Sequence, residues 1–380
     1  MKSSPLTGDG TSQLLTHASM QGKRVTQQDV AKAAGVHRAT VSLAFKNHPS
    51  LPQATRDRIQ KIAEEMGYRP DPVLSALSAY RSSLQIRSFH GVIAWLAIND
   101  DNINYNWRNL RIFTQYYEGA KERADKYGYQ LEVFEMTPDE MSFQRMASIL
   151  KARNVNGILL CPQPHAHMVL DFKWDDFSFI TFGYTLMEPK LHTVTSTQYR
   201  STCIVMEKMH QRGYRKIAFA FSPIHDERTD HNFLAAYLVW QQKIGEKPII
   251  IDFHTNNGPR LKRQLEELAA NGDKVEAIVS GSHNTAHMLE QVGVRVPQDV
   301  AIACPLMVTT NSYMSGVCED GINIGRVAVD HLTNMMLRGE RGIPERALRI
   351  HAEGIWAEGK TLPDRKLPKK KAKKKRTKAS

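Results

Sequence analysis

Residues 33–46, AGVHRATVSLAFKN, place His37, Arg38, Ala39 and Ser42 near the front of a short helical stretch, while Val36, Val41 and Ala44 form an apolar spine. An arginine at such a helix end suits one chemistry well: its guanidinium can donate two parallel hydrogen bonds to O6 and N7 of guanine in a major groove. The preceding segment, with Val30, Ala31 and Ala34, stops at Gly35, so the stretch reads as the second helix of a helix, glycine turn, helix unit. Ala34, Val36, Val41 and Ala44 then pack inward, and the other side faces out. A small helical bundle with no nucleic-acid partner fits the same pattern.

Other reactive side chains make weaker patterns. His165 and His167 alternate along one extended segment, and His283 and His287 stand four apart on a helix face. Neither pair has a nearby cysteine or a matched second pair, so no metal site is expected and surface histidines are the simpler account. No nucleophile elbow, phosphate loop, HExxH or GxGxxG stands between a strand and a helix, so neither enzyme activity nor a cofactor is expected. Cys161, Cys203, Cys304 and Cys318 are far apart, which suits reduced thiols in the cytoplasm.

The elements that would carry these residues fall into two sets. Thr26 is a good N-cap for the first helix with Asp29 three residues on, the second runs from about His37 to Lys46, and ATRDRIQKIAEEMGY sets Ile59, Ile62, Ala63 and Met66 at helical spacing before Gly67. RPDPVLSALSAYRSS is a connector with a short helix from Val73 to Tyr80. Beyond Arg87, apolar strands such as GVIAWLAI, VNGILLCP, KIAFAFSP and DVAIACPL alternate with amphipathic helices. Two such runs predict two parallel sheets with helices on both faces and a ligand site off the strands' C-terminal ends.

The headpiece segment VTQQDVAKAAGVHRATVSLAFKNHPSLPQATRDRIQKIAEEMGYRPDP resembles the DNA-binding headpiece of the lactose-repressor (LacI/GalR) family of bacterial transcription regulators, through DVAKAAGV, the TVS of Thr40 to Ser42, TRDRI and GYRP. VNGILLCP, QRGYRKIAF, GVRVPQDVAIA and INIGRVAVDHL are similar to later family segments, so the resemblance covers nearly the whole chain. It implies an α/β fold: a small all-α helix-turn-helix headpiece plus a two-subdomain periplasmic-binding-protein-like core with parallel sheets. It also implies a homodimer and a small-molecule effector, such as a sugar or related metabolite, in the core cleft. The family's base-reading positions fall on Arg38, Ala39 and Leu43, and its phosphate contacts on Thr26, Thr40, Ser42, Lys46 and Thr55. Leu43 departs from the family, which commonly has arginine there; a leucine touches a thymine methyl but offers no donor pair, unless it simply packs within the headpiece. The connector resembles the family hinge helix, with Leu77 as the minor-groove wedge and Leu74 as the other candidate.

Around the cleft the resemblance and the sequence place Asn99, Trp107, Arg228, His283 and Glu319. Trp107 would either stack on a sugar ring or line an interface. Family carboxylates are replaced at Thr197 and Gln198, at Ser282 and His283, and at Pro305, Leu306 and Met307, which weakens the case for ordinary sugar recognition.

The resulting organisation is a disordered leader (1–22), the headpiece (23–69), hinge and linker (70–86), an effector-binding and dimerisation core (87–363) and a basic disordered tail (364–380). Met20 is an alternative start. Nine Lys and Arg residues between Lys366 and Lys378 account for most of the net charge of +12, leaving +3 for everything before them. The tail therefore suits a polyanion or serves solubility alone. With no apolar run that spans a bilayer and no secretory leader, no membrane partner is expected. The sequence reads as a cytoplasmic, nucleoid-associated regulator, a repressor, whose hold on a palindromic double-stranded DNA operator is modulated by an effector. The alternative is an architectural DNA-binding protein with a ligand-free core and tail-driven affinity.

Overall fold

The capping signals around Thr26 form as the sequence predicts. Helix α1 (Gln27–Ala34) begins where the Asp29 N–H donates to Thr26 Oγ1 and the Thr26 N–H donates back to Asp29 Oδ2 (2.9 Å), and it ends at Gly35 with φ +65°. In this computed structural model the described residues are 25–45, 51–68, 89–103, 105–254, 257–310 and 313–365. Lys46, Leu77, Leu74, the leader, all of the connector and nearly all of the tail lie outside them. The chain divides into two compact units, Met1–Ile86 and Arg87–Ser380.

In the first unit, α1, α2 (Arg38–Phe45) and α3 (Gln53–Glu65) enclose one core of Val30, Ala31, Ala34, Val41, Ala44, Ile59 and Ala63. Val36, Ile62 and Met66 pack on its rim. Gln60 Nε2 donates to the Ala44 carbonyl (3.0 Å), which fixes the end of α2 against α3.

The second unit holds two six-stranded sheets. The first, ordered β13-β7-β5-β3-β1-β2, is parallel throughout and contains β1 (Gly91–Ile98), β2 (Tyr129–Met136), β3 (Val155–Leu160), β5 (Ser178–Phe182), β7 (Thr193–Ser196) and β13 (Arg349–Ala352). The second, ordered β14-β12-β11-β10-β8-β9, contains β8 (Ile217–Phe221), β9 (Ile249–Asp252), β10 (Ala277–Ser280), β11 (Ala301–Met307), β12 (Ser315–Cys318) and β14 (Ile355–Ala357). Its last strand pairs antiparallel with β12, so the expectation of a purely parallel second sheet fails at that edge. Two short strands, β4 (Met168–Val169) and β6 (Leu186–Glu188), pair beside the first sheet.

Strand β1 shows why these segments read as continuous apolar runs. Ile93, Trp95 and Ala97 enter the core on one face, and Ala94, Leu96 and Ile98 enter the core on the other. Helices α4 (Arg111–Lys126) and α11 (Gly321–Arg338) cover the first face and α5 (Phe143–Ala152) the second. On the second sheet α6 (Gln198–Gln211) and α8 (Asn232–Ile244) lie opposite α9 (Gly258–Ala270) and α10 (Thr285–Gln291), with α7 (Pro223–Glu227) as a short elbow before α8. Helices α4 and α11 cross closely: a Cβ on Gly325 would collide with the Tyr116 carbonyl, and one on Gly119 with that of Ile322.

The chain passes between the two sheets three times, at 196–198, 318–321 and 352–355. Hydroxyl to carboxylate hydrogen bonds join these crossings: Ser196 Oγ donates to Glu319, and Thr197 Oγ1 donates to Glu353 (3.3 Å).

Candidate nucleic-acid interface and effector cleft

On the first unit, the outer side of α2 is set by what its inner side buries. Val41 and Ala44 are fully buried, which turns Arg38 and Ala39 to solvent and leaves Thr40, Ser42 and Leu43 partly exposed. His37 stands just before the helix, where its Nδ1 accepts from the Ala39 N–H (3.3 Å) and its carbonyl from the Thr40 N–H (2.9 Å). It therefore acts as an N-cap, a role the sequence reading missed. Leu43 is half-buried and is not among the side chains that pack on the headpiece core, whereas Phe45 is, against Tyr68 at 5.2 Å. Thr26 is exposed at the start of α1 and Thr55 partly exposed in the first turn of α3, so both lie at helix N-termini, where backbone N–H groups favour an anion.

In the second unit, the loop after β3 and the elbow after β8 approach one another at the C-terminal ends of their strands, and this seam between the two sheets is termed the cleft. Loop 161–165, after β3, is fixed from below: the Gln163 N–H donates to Thr185 Oγ1 (2.9 Å), Thr185 Oγ1 donates to Gln163 Oε1 (2.7 Å), and Gln163 Nε2 donates to the Cys161 carbonyl (2.8 Å). Tyr105 and Asp100 hold its far side through the Pro162 carbonyl (2.7 Å) and His165 (2.6 Å). From the opposite wall, Arg228 at the end of α7 reaches over and donates to the Gln163 carbonyl (2.6 Å) and to that of Pro164, with its guanidinium 5.2 Å from the Tyr105 ring centroid. His167 and Glu227 face each other nearby at 3.9 Å.

Glu319 sits at the second crossing, at the C-terminal end of β12. Burial pushes its carboxyl up to about 7, against the opposing hydrogen bond from Ser196. Its charge in turn helps to raise the Tyr116 hydroxyl, which is buried and shifted chiefly by desolvation. Gln198 Nε2 extends the line by donating to Ser196 Oγ (3.1 Å). Asn99 ends β1 with its N–H on the Met136 carbonyl (2.8 Å), and its Oδ1 is buried with no donor among the described residues.

The structure thus brings Asn99, Arg228 and Glu319 to the cleft ends of their strands or of the elbow beyond. His283 is exposed in the turn after β10, and no partner for it is seen among the described residues. Trp107 departs from the stacking expectation: it is 3% exposed, its ring centroid 5.4 Å from Trp95 and 5.3 Å from Tyr117, and its Nε1 donates to Glu135 (2.9 Å). Packed this way it belongs to the aromatic core behind the cleft wall and presents no open face. Tyr105, Gln163, Thr185 and Ser196 were missed by the sequence reading because their partners lie far along the chain. Among the described residues no three His, Cys, Asp or Glu side chains converge as metal ligands, and no helix is long and apolar enough to cross a membrane.

Comparison with known proteins places these features in context. Residues 26–71 match the model for bacterial regulatory proteins of the lacI family, and residues 206–356 match a periplasmic binding protein-like domain. The HTH-type transcriptional regulator KdgR of Bacillus subtilis (strain 168) is 24% identical over 343 residues, covering 84% of this chain and 93% of the relative. Catabolite control protein A of Streptococcus mutans is 22% identical, covering 83% and 92%. Among solved structures, the transcriptional regulator CelR-cellobiose complex superposes with a TM-score of 0.54 at 19% identity, covering 89% of this chain and all of that one. The lac repressor dimer bound to operator and the anti-inducer ONPF gives a TM-score of 0.53 at 18% identity, covering 90% and 100%.

Proposed function

This chain belongs to the LacI family of bacterial regulatory proteins, a DNA-binding transcription regulator with an effector-binding core, and from that premise we propose that it is a cytoplasmic, homodimeric repressor of a palindromic operator. The observation that carries the reading is the presentation of α2. Its inner face is committed to the headpiece core, while Arg38 and Ala39, with Leu43 half-exposed behind them, lie on the face a recognition helix turns to base edges. Arg38 supplies the guanine contact, and Leu43 a thymine methyl contact that sets the half-site apart from those read by arginine-bearing relatives. Thr26, His37, Thr40, Ser42, Lys46 and Thr55 position the helix on phosphates, and Leu77 wedges the minor groove at the operator centre.

Asn99, Arg228, His283 and Glu319 surround the effector, whose binding shifts the relative orientation of the core's two sheets. That orientation sets the fraction of dimers competent for DNA.

Selecting bound sequences from random double-stranded DNA tests the reading. Wild type should enrich a palindrome, Arg38→Ala should flatten one G·C position in each half-site, and Leu77→Ala should weaken binding without changing the half-site. Enrichment without a motif would overturn the proposal in favour of the architectural alternative, in which the lysine-rich tail supplies sequence-independent affinity.

A further inference from the structure

Arg228, at the end of α7, carries a charge that no described carboxylate balances. Its guanidinium is half-buried and spans the cleft, yet it meets only neutral partners: the carbonyls of Gln163 and Pro164 and the face of Tyr105. It forms no ion pair with a carboxylate among the described residues. The acids on its own elbow are engaged elsewhere, Asp226 with His231 (2.8 Å) and the Leu234 N–H (3.2 Å), and Glu227 facing His167 at 3.9 Å.

We infer that Arg228 is a cross-cleft latch, shut on the Gln163 and Pro164 carbonyls and released by the negative group of the effector, so that this core takes a small organic anion, a carboxylate or a phosphate ester, rather than an uncharged sugar. The inference rests on the cleft being the effector site. Three observations support it. A guanidinium meets only the dipole of a backbone carbonyl but the full opposite charge of a carboxylate or phosphate, which also matches its fork with two parallel acceptors, so an anion outcompetes two backbone carbonyls for the same donors. Loop 161–165 keeps its own supports, through Thr185, Tyr105 and Asp100, when Arg228 leaves; the cost of release is therefore confined to the latch. Of the other carboxyls about the cleft, Asp100 is paired with His165, Glu227 faces His167, and Glu319 is substantially protonated near neutral pH, so each repels an incoming anion weakly. Because the latch joins the end of β3 to the elbow after β8, opening it removes a direct tie between the two sheets' walls.

Hydrogen exchange on the full chain, with and without Arg228→Ala, reads the latch directly. Exchange should quicken about tenfold in peptides covering 161–168 and 223–231 and stay unchanged at β10, as expected when one charge-assisted contact that governs local opening is lost. Arg228→Lys keeps the charge and the stem but not the two-pronged donor set, and should give the same localised change in weaker form. Unchanged exchange at 161–168, or acceleration that includes β10, would show that Arg228 is not a latch.

The ligand class is read by thermal shift with D-glucose, D-gluconate and D-glucose 6-phosphate. At least one of the two anions should stabilise wild type but not Arg228→Ala, and glucose should do neither. Stabilisation by glucose alone, by neither anion, or equally in the Ala variant overturns the assignment. Operator selection is scored separately, so failure here leaves the DNA-reading proposal standing, and failure there leaves the latch result standing.

Discussion

Leu43 on α2 and Glu319 at the end of β12 each carry a testable consequence. Among the described residues Leu43 is half-buried and outside the headpiece core, and its exposed half is the part the DNA-reading proposal uses. Restoring a donor pair with Leu43→Arg should introduce a guanine preference at one half-site position worth about 1–3 kcal/mol, seen as a changed motif in sequence selection. Glu319 makes a prediction of opposite kind, about pH. Its folded pKa of about 7 lies above the ordinary carboxylate value, so the folded state holds the proton longer than the unfolded chain does. The core therefore loses stability as pH rises from about 4.5 to 7, and the loss is complete above that window. Glu319→Gln removes the titration: its melting temperature should match wild type at pH 4 and exceed it at pH 8, by roughly 1–2 kcal/mol of stability after allowance for the side chain's partial exposure. Residue identity alone did not reveal this environment, because the Ser196 that accompanies Glu319 is 123 positions away. Trp107 illustrates the same limit: its sequence neighbours do not disclose that Trp95 and Tyr117 enclose it.

Elements were legible where their signals are local. Thr26 with Asp29, Gly35 and Gly67 delimit helices through contacts within one turn, and the unbroken apolar run of β1 declares a strand buried on both faces. Strands β7 (TVTS), β12 (SGVC) and β13 (RIHA) were not legible, because they lack the apolar run that marks the equally short β9 and β10, and neither was β14 (IWA), which has only three residues; all four are defined by partners delivered by the crossings. The same reasoning applies to the α4–α11 contact. Gly119 and Gly325 look unremarkable in their helices, but each lets the opposing backbone approach where a methyl group has no room. Gly325→Ala should destabilise the core by about 1–3 kcal/mol in denaturant unfolding, as overpacking does elsewhere. Thr26→Ala should cost about 1 kcal/mol locally and speed hydrogen exchange in the first turn of α1, without altering the melting of the core.

At the scale of the molecule, a DNA reader and a ligand cleft occupy separate compact units, and the cleft is built where two sheets meet at three crossings. Such an arrangement suits regulation because a ligand that distinguishes two orientations of the sheets biases the whole core. The composition was informative here in a specific way: most of the net positive charge lies in the last fifteen residues, so the charge of the chain as a whole is poor support for sequence-specific reading by the headpiece. The competing sources of affinity separate by salt. The most direct test is therefore the affinity of the full chain for its selected operator relative to random DNA, measured from low to physiological ionic strength. Headpiece reading predicts a ratio of at least about 10³ that persists at physiological salt. A ratio near one, with both affinities collapsing together as salt rises, would contradict it.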